Sequence, residues 1–255
     1  VIGLRYAVSA QEMKRCDDYT VTKIGIPALV LMERAAMETV QALLAKRAKR
    51  GKILVLSGVG NNGGDGLAAG RMLAALGDKV AFFIVGNKER ASEQTARQIR
   101  ILENLGFSIQ SNLKEEEYDI VIDALFGVEL SRNLEGMYRD VVEEVNRMRQ
   151  RGTYVVSVDV PSGICADTGN VMGAAIQADL TVTYAFAKRG LLLYPGKSYA
   201  GELVVRDIGI PPRAFGGQMP GMFYYEKDEL PGRLPARRPD GNKGTFGKVL
   251  LIAGS

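Results

Sequence analysis

Three short stretches of this sequence carry the residue types that chemistry needs. The first is Gly58-Val59-Gly60-Asn61-Asn62-Gly63-Gly64-Asp65-Gly66, where Gly58, Gly60 and Gly63 have the spacing of a phosphate-binding turn between a strand and a helix. Glycine lets a backbone approach a phosphate, and a helix N-terminus attracts its charge. A tight turn with positive φ accounts for two or three of these glycines with no ligand at all. The others are Asp123-Ala124-Leu125-Phe126-Gly127 and Asp159-Val160-Pro161-Ser162-Gly163. A single aspartate after a strand is often a helix cap; two beside a glycine loop point to a site. Asn62, Asp123 and Ser162 offer an amide oxygen, a carboxylate and a hydroxyl, hard donors suited to an alkali or alkaline-earth cation. One charge among the three favours a monovalent ion, and a hydrogen-bond network without metal is the alternative.

Histidine is absent from all 255 residues. Ser-His-Asp and Cys-His catalysis within this chain are excluded, as are histidine metal sites. Proton transfer falls to Asp, Glu, Lys, Tyr, Cys or bound water. Two cysteines, Cys16 and Cys165, far apart in sequence, give neither metal-ligand spacing nor a disulfide framework and suit a reducing cytoplasm. A net charge of +4 does not call for a nucleic-acid partner. No apolar run reaches the ~18 residues of a membrane span, and the N-terminus lacks a signal-peptide pattern.

The elements that position these stretches alternate. Ser9-Ala10-Gln11-Glu12 has capping-box spacing, predicting a helix to about Lys23 that Gly25 breaks. Pro27 suits the first turn of a second helix, to about Arg47. The basic end, Lys46 to Arg50, reads better as a solvated helix terminus than as a phosphate patch. From residue 52, apolar strands (52–57, 80–85, 119–123, 154–158, 180–184, 203–205, with a short one at Ile109) alternate with helices ending near Gly77, spanning 92–105 and covering 134–150. This predicts an α/β fold: a Rossmann-like three-layer α/β/α arrangement with a mostly parallel central sheet, preceded by two N-terminal helices. Right-handed crossovers then bring the three stretches to one rim, where ligands bind. The second strand ends Val85-Gly86-Asn87, with no acid placed to hold a ribose, which disfavours a plain NAD-dependent dehydrogenase.

The three stretches, with Leu31-Met32-Glu33-Arg34-Ala35 and Tyr194-Pro195-Gly196-Lys197, resemble in order and spacing the YjeF N-terminal domain family, the NAD(P)H-hydrate epimerases. The resemblance runs over residues 9–212. Lys243–Ser255 resembles the opening of a ribokinase-like NAD(P)H-hydrate dehydratase domain, which is fused to the epimerase in bifunctional relatives. The implied division is an epimerase domain over 1–225, a proline-containing linker over 226–242 and the start of a second domain over 243–255. The implied activity is an isomerase that interconverts the R and S forms of hydrated NADH and NADPH (NADHX and NADPHX). A full-length parent would also dehydrate the S form, as a lyase using ADP or ATP. The resemblance assigns substrate contacts to Asn61, Asn62, Gly63, Gly64 and Asp65, to Gly127, Val128, Glu129, Leu130, Ser131, Arg132 and Asn133, and to Asp159. It assigns one potassium ion per subunit to Asn62, Asp123 and Ser162, and implies a homodimer or larger homo-oligomer.

The chemistry follows from the hydrate. Losing the C6 hydroxyl leaves a planar iminium, and water returning to the other face inverts the carbon. With no histidine, and with Asp123 assigned to the metal, Asp159 is the first choice for proton transfer. Lys188-Arg189 reads either as a phosphate contact or as an exposed pair on the rim. A non-catalytic RNA-binding or assembly scaffold of the same fold is the alternative; the intact Asn62, Asp123, Asp159 and Ser162 set argues against it.

Overall fold

The computed structural model describes residues 5–47, 50–110, 112–113, 116–230, 239–242 and 244. In chain order the elements are β1 (Arg5–Val8), α1 (Ala10–Tyr19), α2 (Ala28–Lys46), β2 (Lys52–Ser57), α3 (Asn61–Ala75), β3 (Lys79–Ile84), α4 (Glu93–Asn104), β4 (Ile109–Gln110), β5 (Ile120–Ala124), α5 (Met137–Gln150), β6 (Tyr154–Val158), β7 (Leu180–Tyr184), β8 (Ala187–Lys188), β9 (Glu202–Arg206) and β10 (Met222–Tyr224). Seven strands form one sheet in the order β4-β3-β2-β5-β6-β7-β9, every neighbouring pair parallel.

Helices cover both faces of the sheet, so its central strands are apolar on both sides. Ile53 and Val55 of β2, Ile120 and Ile122 of β5 and Val156 of β6 face α2, α3 and α4. The alternate residues Leu54, Leu56, Val121 and Val155 meet Val141, Val142, Val145 and Met148 of α5. This is the expected three-layer arrangement. The chain runs from β2 outward through β3 to β4, then returns to β5 and continues the other way through β6, β7 and β9. The reversal lies between β2 and β5, and loops leaving such a point diverge and open a crevice at the carboxyl ends of the strands.

The N-terminal part follows its sequence signals with two departures. Ser9 and Glu12 form the capping box, with Glu12 N–H donating to Ser9 Oγ at 3.2 Å and Ser9 N–H to Glu12 Oε2 at 2.7 Å. The helix continues as a wide turn over Thr20–Ile24 and stops at Gly25, whose φ is 88°. Pro27, with ψ at 140°, caps α2 instead of entering its first turn. Two helices precede the central sheet as expected, and a strand that the sequence did not signal, β1, precedes them. It pairs in parallel with β8 and antiparallel with β10, forming a second sheet of three short strands. Four residues signal a strand weakly, and the partners of β1 lie roughly 180 and 215 positions along the chain.

Within the expected linker, Glu226 and Glu229 pair with Arg5 of β1 at 3.6 and 3.4 Å. Lys243 and residues 245–255, read from sequence as the start of a second domain, lie outside the described residues. Among the described residues, no helix is long and apolar enough to cross a membrane.

Candidate active site

The glycine loop closes the switch point by steric necessity. Gly58 N–H donates to the carbonyl of Ala124 at 2.9 Å, joining the end of β2 to β5. A Cβ on Gly58 would strike the carbonyl oxygen of Leu125, one on Gly63 the carbonyl oxygen of Gly58, and one on Gly66 the Cβ of Ala124. Gly58, Gly60 and Gly63 do not have positive φ, so the tight-turn explanation fails. Close backbone approach is what these positions require. Gly60, which caps α3, faces open space.

That space is a cavity of about 560 Å³. The rim supplies Gly58 to Asn62, Asp65, Leu125 to Leu130 and Asp159; α1 and the turn after it supply Met13, Lys14, Asp17, Asp18, Val21 and Thr22. Of the residues assigned to substrate, Asn61, Asn62, Asp65, Gly127, Val128, Glu129, Leu130 and Asp159 line the cavity, while Ser131, Arg132 and Asn133 are exposed further along the loop. Gly63 and Gly64 are buried in α3 beneath it.

Asp159 is held in an uncommon backbone conformation, φ 66°, which over-determined surroundings must enforce. Its N–H donates to the Val182 carbonyl at 2.8 Å. Oδ1 accepts from Lys188 Nζ at 2.5 Å and from Thr183 Oγ1 at 3.1 Å. Lys188 is 1% exposed and also donates to Thr183 Oγ1 at 2.9 Å and to the Tyr184 carbonyl at 3.0 Å. Both readings of Lys188-Arg189 are therefore replaced: Lys188 is a buried partner of Asp159, and Arg189 pairs with Glu12 at 2.8 Å.

The small sheet explains the placement of Lys188. Val8 of β1 stands in register with Lys188 of β8, which fixes the lysine backbone beside the carboxyl ends of β6 and β7. Two further carboxyls share this cation's field. Burial raises the Asp65 carboxyl well above its usual range, with Asp159 and Asp17 adding to the rise and Lys188 opposing it. Burial also pushes the Asp17 carboxyl up to about 7, with Lys188 opposing and Asp159, Asp18 and Glu129 adding. Such perturbed carboxyls gathered in a cleft mark functional sites.

Below the cavity floor Asp123 is 0% exposed. Its oxygens accept from Ser162 Oγ at 2.5 Å, Ser157 Oγ at 2.7 Å, Ser162 N–H at 2.9 Å and Leu125 N–H at 3.4 Å, all neutral donors. Ser162 Oγ in turn accepts from Phe126 N–H at 2.9 Å. Asn62 reaches the next residue: a Cβ on Gly127 would meet Asn62 Oδ1 at 2.9 Å and Asp159 Oδ2 at 3.3 Å. The Asn62 amide nitrogen is buried without a hydrogen-bond partner. The network thus brings Ser162 onto Asp123 directly and approaches Asn62 through the Phe126-Gly127 backbone.

Sequence reading missed Asp17 and Tyr184, and singled out Lys188 without its role as the partner of Asp159. Tyr184 lines the cavity, and its hydroxyl lies 2.6 Å from Thr39 Oγ1. Asp17 had a legible signal. Met13 and Cys16 of α1 and Thr20 of the turn that continues it form a buried stripe, and Asp17 falls on the same face, where an unpaired acid is costly.

Residues 28–190 match the family described as YjeF-related protein N-terminus. The chain is 44% identical over 204 residues to an NAD(P)H-hydrate epimerase of Limosilactobacillus fermentum, covering 79% of this chain and 96% of that protein. An NAD(P)H-hydrate epimerase of Weissella koreensis is 42% identical over 205 residues, covering 80% and 91%. The bifunctional NAD(P)H-hydrate repair enzyme Nnr of Thermofilum pendens is 38% identical over 253 residues, covering 96% of this chain and 47% of that protein. The crystal structure of yeast ynu0 aligns with a TM-score of 0.71 at 26% identity, over 88% of this chain and 98% of that one.

Proposed function

This chain belongs to the family of YjeF-related protein N-termini, and from that premise we propose that it is an NAD(P)H-hydrate epimerase, an isomerase interconverting the R and S hydrates of NADH and NADPH for cofactor repair. The observation that carries the reading is the pairing of Asp159 with buried Lys188 beneath a glycine loop at the switch point of the sheet. The loop and the N-terminus of α3 suit the pyrophosphate of a dinucleotide. The carboxyls around Lys188 suit a reaction that passes through a cation. A nearby anion stabilises the iminium, and a carboxyl moves the proton that the departing and arriving oxygens require.

Asp159 is the proposed catalytic group, with Asn61, Asn62, Asp65 and the Gly127–Leu130 segment about the substrate. Asp159→Asn, tested on separated R- and S-NADHX by chromatography, is expected to slow the catalysed interconversion by about 100-fold or more. An unchanged rate overturns the assignment.

Potassium is part of the same proposal, held by Asn62, Asp123 and Ser162. The residues fit. Asp123 is a fully buried carboxylate bonded to neutral donors, the Asn62 amide oxygen stands at the Gly127 backbone, and the Ser162 hydroxyl keeps a free lone pair. A monovalent cation there supplies the charge that offsets a desolvated carboxylate and stiffens the Leu125–Gly127 backbone. Exchange for a poorly fitting cation should lower both activity and melting temperature.

A homodimer or larger assembly is supported by Val30, Met37 and Leu44 of α2, seven residues apart and 46%, 43% and 40% exposed, and light scattering tests it. Both cysteines are free thiols, which supports work in a reducing compartment, the cytoplasm. For a full-length parent, dehydration of the S hydrate with ADP or ATP is supported by the match to the bifunctional relative along 96% of this chain.

A further inference from the structure

Interconverting two hydrates inverts one carbon. Water leaves one face of the ring and arrives on the other. Because the reaction runs in both directions, each face needs a group that can give a proton to oxygen and take one from it. A single carboxyl serves one face. The cavity holds a second carboxyl on a different wall: Asp17 projects from α1, while Asp159 stands after β6 at the sheet rim. Asp17 lies on the packed face of its helix, beside buried Met13, Cys16 and Thr20, so its position is fixed by the core.

We propose that Asp17 is the second acid–base catalyst of the epimerisation, serving the face of the nicotinamide ring that Asp159 does not. The proposal rests on the epimerase reading. In one direction, protonated Asp17 gives its proton to the C6 hydroxyl. The C6–O bond breaks, its electron pair leaves with water, and the ring nitrogen's lone pair forms the iminium double bond. A second water attacks C6 from the other face, Asp159 takes its proton, and the π pair returns to nitrogen. In the other direction Asp159 donates and Asp17 accepts. One proton passes between the two carboxyls per turnover and returns through solvent.

The surroundings give the two groups different starting states. Asp159 accepts directly from the Lys188 ammonium at 2.5 Å, as a carboxylate does. Asp17 is driven by burial to about 7, with Lys188 opposing the rise and Asp159, Asp18 and Glu129 reinforcing it, so both its forms are populated at neutral pH.

The experiment follows inversion and oxygen exchange together. Purified R- and S-NADHX are incubated separately in ¹⁸O-water with wild type, Asp17→Asn and Asp17→Glu, with thermal melts confirming that each variant is folded. Wild type should exchange the hydroxyl oxygen of both epimers and invert both. Asp17→Asn should invert at least about 100-fold more slowly. It should still exchange the oxygen of one epimer, the one whose hydroxyl faces Asp159. Asp17→Glu should recover part of the inversion. Wild-type inversion in Asp17→Asn overturns the proposal, as does loss of exchange from both epimers in a folded Asp17→Asn. Wild type that neither inverts nor exchanges would instead remove the epimerase reading itself.

Discussion

Replacing Lys188 with methionine tests whether the buried ammonium organises this site. Lys188 is 1% exposed, and its three hydrogen bonds end on Asp159, Thr183 and Tyr184. Methionine fills the space and removes the charge, leaving Asp159, 8% exposed, without its cation and with Asp65 and Asp17 in the same field. Breaking a buried pair from one side costs about 3–5 kcal/mol. Asp159 opens on the cavity, so the lower end, about 3 kcal/mol, applies. In urea that lowers the midpoint by about 1 M, at a slope near 3 kcal/mol per molar. Adding Asp159→Asn should restore much of the stability while leaving activity lost. A Lys188→Met protein with the wild-type midpoint would refute the reasoning.

Three further outcomes are expected. Asp17→Asn should be more stable than wild type at pH 8: the wild-type carboxyl titrates at about 7 instead of 3.8, so the folded state loses stability as pH rises through that interval. The gain is about 2 kcal/mol after allowance for residual solvent contact, should vanish near pH 4, and is read from thermal melts across pH. Gly66→Ala should cost about 1–3 kcal/mol in urea unfolding, because its methyl lands on the Cβ of Ala124 and must push α3 off β5. Ser162→Ala should cost about 2 kcal/mol by the same assay, since it removes the 2.5 Å bond to buried Asp123 and the acceptor of Phe126 N–H.

What the sequence revealed follows the range of the forces involved. The parallel strands were legible because burial on both faces leaves continuous apolar runs such as Ile53 to Leu56. The capping box at Ser9 and the stop at Gly25 were legible because both act within a turn of helix. The rim position of Asp123 and Asp159 followed from strand order and handedness. The Asp159–Lys188 pair did not, because it depends on β1 aligning with β8 from the far side of the chain, and strands of four and two residues carry almost no periodicity. Glycines in the loop were seen, but their reason was not: the close approaches at Gly58, Gly63 and Gly66 exist only once β2, β5 and α3 are packed.

The central claim is tested most directly by supplying purified S-NADHX to the wild-type protein in potassium buffer and following the appearance of the R hydrate by chromatography against the spontaneous rate. R hydrate should form well ahead of the blank and approach the same equilibrium ratio from either epimer. Formation at the spontaneous rate, with folded protein, would contradict the account and favour a binding or assembly role for the same cavity.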